Sequence, residues 1–124
     1  MALAALDDGH TAIIAAQIDG TGTAAITTSD GAATLTDNGT GDYTVTFGSN
    51  FLSAPTVVAT VIDATYATTD QPAIVILSVA TDAVRFNCMM HVDHTGAGTD
   101  ATTLSVGALA DMDFHMVAIG KRNR

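Results

Sequence analysis

From Tyr43 to Phe47 the chain alternates without a fault, with Tyr43, Val45 and Phe47 on one side and Thr44 and Thr46 on the other. A side-chain period of two belongs to a half-buried β-strand, and aromatic and β-branched residues suit its pleated surface. The strand follows the cluster Asp37-Asn38-Gly39. Asn-Gly accepts the positive backbone angles of a tight hairpin turn, so the chain is expected to reverse at Asn38-Gly39. Downstream, Pro55 heads a second run, Thr56 to Asp63, which opens with the apolar stretch Val57-Val58-Ala59. Proline at a strand's first position gives up a donor that would find little to pair with there. This run is too apolar on both faces for a solvated edge, so an interior strand is expected.

The same logic extends along the chain. Ala12 to Asp19, Ala24 to Thr28 and Ala33 to Thr36 read as strands, separated by Gly20-Thr21-Gly22 and Ser29-Asp30-Gly31. Residues 64–71 form a Thr-rich polar loop that ends at Pro72. Ile74 to Ala80 follows, with Val75, Leu77 and Val79 assigned to one face, and Thr81-Asp82 turns into Val84 to Val92. There Val84, Phe86, Cys88 and Met90 face one way, while Arg85, Asn87, Met89 and His91 face the other. Residues 93–101 make a loop dense in Gly, Thr and Asp. Leu104 to Leu109 is a weaker strand, and Phe114 to Ile119 is the last. Eight or nine short strands between turn signals, with no helical period, read as a β-sandwich or barrel, and the fold expected is an all-β antiparallel β-sandwich.

Length places one domain in the chain: 124 residues lie near the commonest domain size. An N-terminal arm is assigned to residues 1–11, the sandwich to 12–120 and a basic tail to 121–124. The core material is small. With 4 Phe, 2 Tyr and no Trp among many Ala, Thr and Val, burial between subunits becomes an expected source of stability. Met89, Met90, Met112 and Met116 suit either the core or such an interface.

The formal net charge of −9 argues against nucleic-acid binding, which uses clustered Lys and Arg to displace counterions from phosphate. Basic residues concentrate at Lys121, Arg122 and Arg124, leaving Arg85 alone in the body. Cys88 is the single cysteine, so no internal disulfide forms, and its apolar surroundings predict an inert core thiol. No apolar run reaches the length of a membrane-spanning helix, and no membrane partner is expected. The first ten residues lack the basic region and long apolar segment of a signal peptide.

Two segments carry a resemblance. GTGDYTVTF at 39–47, followed by Phe51, Pro55 and the Val-rich run, is similar to the small all-β modules of tailed-phage virions. DMDFHMVAIG at 111–120 resembles the closing strand of the same modules. They occur in fibre tips and in capsid decoration (cement) proteins, many of them jelly-roll folds that form trimers like the tumour-necrosis-factor family. The resemblance implies a jelly-roll-like fold, a homotrimer, a place on the capsid exterior and the major capsid protein as partner.

Other constellations point elsewhere more weakly. His91, Asp93 and His94, joined by Asp111, Asp113 and His115, have ligand chemistry for a transition metal. In a strand, however, His91 and Asp93 share a face that His94 does not, and a polar strand end is the simpler reading. Asp37 to Asp42 offers oxygen ligands without the spacing or terminal Glu of an EF-hand. No Ser stands in a G-x-S-x-G context, and no acid pair has the apolar pocket that raises a carboxyl pKa. No enzyme, cofactor or metal is expected. The sequence reading is a decoration protein attached through an apolar arm (Met1, Leu3, Leu6) and a basic tail (Lys121, Arg122, Arg124). The alternative is a fibre tip or receptor- or carbohydrate-binding module using loops 64–71 and 93–101.

Overall fold

The computed structural model describes residues 10–30, 33–62, 70–92 and 108–122. Nine strands account for most of them: β1 (His10–Asp19), β2 (Ala25–Asp30), β3 (Thr34–Gly39), β4 (Asp42–Thr46), β5 (Thr56–Ile62), β6 (Asp70–Val79), β7 (Ala83–Val92), β8 (Ala108–Leu109) and β9 (Asp113–Arg122). One antiparallel sheet has the order β2-β1-β9-β5. The other has the order β3-β4-β7-β6, with β8 pairing β7 beyond the end of β4. The sheets pack as a sandwich, and the chain passes between them after β2, β4, β5 and β8. The expected all-β antiparallel sandwich is the fold observed.

Alternation places the core as the sequence indicated. Tyr43, Val45, Phe47, Val84, Phe86 and Cys88 are buried from one sheet, and Ile14, Ile18, Phe114, Met116 and Ala118 from the other. Met90 packs against this cluster partly buried. The core is richer in aromatic surface than the composition suggested, because all four Phe and Tyr43 converge there. Phe114 is the hub, with ring centroids 5.7 Å from Tyr43 and 5.1 Å from Phe86. Phe47 meets Phe51 edge-on at 5.2 Å. Tilted and edge-on contacts suit the quadrupoles of aromatic rings.

Four local expectations are corrected. The hairpin reverses at Thr40-Gly41, whereas Asn38 sits in a register irregularity between Asp37 and Gly39. Gly41 holds a φ of 63°, and a Cβ there would come within 2.5 Å of the Cys88 carbonyl oxygen, so only glycine fits the corner. Second, β6 begins at Asp70 and contains Pro72, which an edge strand tolerates because one of its sides has no partner. Third, a register shift between Ile76 and Ser78 turns Val79 inward opposite Val84, while Val75 and Leu77 stay exposed. Fourth, β5 is an edge strand, and Val58 on its outer face is 61% exposed. The strands also outrun the assigned domain limits, with β1 starting at His10 and β9 running to Arg122.

Candidate functional site

Antiparallel pairing of β1 with β9 sets His10 opposite Arg122 and Thr11 opposite Lys121. The two flanks assigned to attachment therefore join the sandwich on adjacent strands at one end. Met1, Leu3, Leu6 and Arg124 themselves lie outside the described residues.

Lys121 and Arg122 differ in role. The Lys121 side chain is exposed, while its carbonyl accepts a hydrogen bond from the Leu52 amide at 2.8 Å. Arg122 folds back over the segment between β4 and β5. Its guanidinium carbon lies 4.9 Å from the centroid of the Phe51 ring, and the group donates to the Ser49 carbonyl. Phe51 in turn rests on Gly120, where a Cβ would approach the ring to 2.7 Å. Sequence reasoning groups Arg122 with a basic tail used for attachment. Its stacking partner is remote in the chain, and only the missing side chain at Gly120 hinted that something must pack closely there.

The opposite end is tied by a polar knot. The Tyr43 hydroxyl is 2.8 Å from Oδ1 of Asp111 and 3.1 Å from the Gly20 carbonyl. Its single proton goes to the charged acceptor, the stronger of the two. Asp111 Oδ1 also accepts from the Gly41 amide at 2.8 Å, and Asp113 Oδ1 accepts from the Gly20 amide at 3.0 Å. Three connections, after β1, between β3 and β4 and before β9, are joined by two carboxylates. The donors at Thr21 hold the Asp19 carboxyl below its usual range. On the outer face of the second sheet, Asp42 pairs with Arg85, which likewise lowers the Asp42 pKa.

These groups are engaged structurally. Asp42 is committed to Arg85, and Asp111 and Asp113 hold backbone amides, so neither acidic set assembles as a ligand cage. Among the described residues, no three His, Cys, Asp or Glu gather to hold a metal ion. Asp93 and His94 lie outside the described residues. Burial pushes the Cys88 thiol up to about 12, helped by the nearby Asp111 charge. A thiol held protonated is a poor nucleophile, as expected for an inert core cysteine.

The outer face of the β2-β1-β9-β5 sheet carries several exposed apolar side chains. Ile13, Ala15, Val117, Ile119 and Val58 project from it, with Ile13 57% and Ile119 43% exposed. Beside them a shallow hollow of about 230 Å³ opens where β1 and β2 slip register, floored by Ala15 and flanked by Thr28 and His115. No family model, no curated protein and no solved structure matches this chain.

Proposed function

We propose that this chain is a virion structural protein that decorates the exterior of a phage capsid as a homotrimer and bridges neighbouring copies of the major capsid protein. The observation that carries the reading is the pairing of His10 with Arg122. It brings the roots of the apolar arm and the basic tail side by side at one end of the sandwich. An apolar anchor beside cationic groups forms one attachment surface suited to an apolar groove rimmed by acids. The work is mechanical: a protein that binds only the assembled lattice stabilises it by mass action.

Capsids lacking the protein provide the test. Deleting residues 1–6 should leave a folded sandwich that no longer decorates them. Lys121→Ala should weaken decoration most at low salt, because salt screens exposed charges. Lys121 is the better probe of the tail, since Arg122 also supports the fold. Truncated protein that decorates at full occupancy would overturn attachment through the arm.

One observation favours a second reading. Residues 63–69 and 93–107 are inserted between strand ends that lie at the opposite end of the sandwich, beside Asp113 and Asp70. A fibre tip or carbohydrate-binding module would present its loops there. Such a protein would co-purify with tails and bind cells or glycans whether or not residues 1–6 were present.

A further inference from the structure

We propose that Asn38 is a site of spontaneous covalent modification, where the side-chain amide is lost as ammonia through a cyclic imide formed with Gly39. The rate is set by the hydrogen bond that Asn38 donates to Thr44. The modification needs neither a capsid nor an enzyme, only water, so it stands apart from the decoration reading.

In the first step the Gly39 backbone nitrogen attacks the side-chain carbonyl carbon of Asn38. An N–C bond forms there as the bond from Cγ to Nδ2 breaks. The Gly39 nitrogen gives up its hydrogen, Nδ2 leaves as ammonia with one hydrogen more, and a cyclic imide remains. Water then opens the imide at either carbonyl. The product is aspartate, or isoaspartate with the main chain routed through the former side chain. Glycine in the following position favours attack, because it has no Cβ to crowd the nitrogen.

The hairpin leaves this pair free to react. Asn38 is the residue that the pairing of β3 with β4 skips, since Asp37 pairs with Tyr43 and Gly39 with Asp42. A skipped residue is released from the ladder. Asn38 and Gly39 are both exposed, on an edge strand. The Gly39 amide donates to Oδ1 of Asp37 at 2.9 Å, so the hydrogen that must leave already lies on a carboxylate. The two other asparagines among the described residues are placed differently. The nitrogen after Asn50 belongs to Phe51 and donates to the Thr81 carbonyl at 2.9 Å. The nitrogen after Asn87 belongs to Cys88 and donates to the Gly41 carbonyl at 2.8 Å. Phe51 and Cys88 are both buried, which shuts off each nitrogen further.

One tether opposes the reaction at Asn38. Its Nδ2 donates to Thr44 Oγ1 at 2.8 Å, with a longer contact of 3.4 Å to Asp42 Oδ1. The amide must leave these partners on β4 before it meets the Gly39 nitrogen. Conversion then sets a new carboxylate beside Asp37 and Asp42. The contact with Asp42 changes from attraction to repulsion, and the new charge competes with Asp42 for Arg85. The modified chain carries one negative charge beyond its −9.

The experiment holds the full chain in neutral buffer and follows each asparagine by peptide mass mapping, with anion exchange reporting the added charge. Asn38 should convert well ahead of Asn50 and Asn87. Hydroxylamine, which attacks the imide, should cut the chain between residues 38 and 39. Thr44→Val removes the acceptor and keeps a β-branched side chain, and it should speed conversion roughly fivefold, the weight of one exposed hydrogen bond. Thr44→Ser keeps the hydroxyl and should convert at the parent rate, which separates loss of the tether from general loosening of the strand. Conversion of Asn38 no faster than that of Asn50 and Asn87 overturns the proposal. A rate unchanged in Thr44→Val, or raised equally in both variants, overturns the tether.

Discussion

The Tyr43 hydroxyl donates to the Asp111 carboxylate across 2.8 Å, joining the strand that anchors the core to the segment that leads into the last strand. The ring is fully buried against Phe114, so its position is set by packing, and the hydroxyl emerges where three connections meet. Removing only the oxygen separates the two contributions. Tyr43→Phe should cost about 1–2 kcal/mol, the range for losing a hydrogen bond to a charged acceptor. Urea unfolding should show the midpoint fall with an unchanged slope. A variant as stable as the parent would mean that Asp111 is equally well served by water.

Alkaline pH should destabilise the fold ahead of any ionisation in the native state. Burial, with Asp111 adding to it, raises the Tyr43 phenol well above its ordinary 10.0 and pushes the Cys88 thiol from 9.0 to about 12. Once pH passes those ordinary values, the unfolded chain binds fewer protons than the folded one, so stability falls as pH rises. Both contributions are fully present below pH 9. Urea midpoints should therefore hold up to about pH 9 and decline beyond it, with Cys88→Ala moving the onset toward 10. A flat profile to pH 11 would contradict protonated burial.

Phe47 is 4% exposed and meets Phe51 edge-on. Phe47→Ala should cost roughly 3–5 kcal/mol, the sum of lost transfer energy and the cavity left behind. Because Phe51 underlies Arg122, the same substitution should speed proteolysis of the segment between β4 and β5. Calorimetry and limited proteolysis read the two effects.

Arg122→Ala should destabilise the free protein by about 1–2 kcal/mol through loss of the Phe51 stack and the Ser49 bond. Arg122→Lys should recover little of it, because an ammonium lacks the planar face that stacks on an aromatic ring. Thermal melts at low and high salt should give nearly the same loss, since a stacked, partly buried group is weakly screened. Full recovery by lysine would show that charge alone matters there.

Much of this was legible from local pattern. Each strand's two faces follow from alternation, because the pleat sends neighbours to opposite sides whatever the partner strand is. Hence Tyr43, Val45, Phe47, Phe86 and Met90 were placed inside, where the structure buries the first four fully and Met90 in part, and turn clusters marked the strand ends to within a few residues.

What alternation does not encode is which strand lies beside which. Nothing within Thr56–Ile62 indicates that it borders β9 on one side and nothing on the other. The hairpin corner moved from Asn38-Gly39 to Thr40-Gly41 because the Cys88 carbonyl, from a strand remote in sequence, leaves room only for glycine at 41. Arg122 reads in sequence as part of the attaching basic tail, yet it stacks on Phe51, which packs against Gly120. The sequence by itself determined most strands, the inward faces of those without a register shift and the sandwich class, since these depend on side chains one or two positions apart. Tertiary structure alone decided strand order, the meeting of His10 with Arg122 and the apolar outer face, because contacts between distant segments are settled only when the whole chain packs.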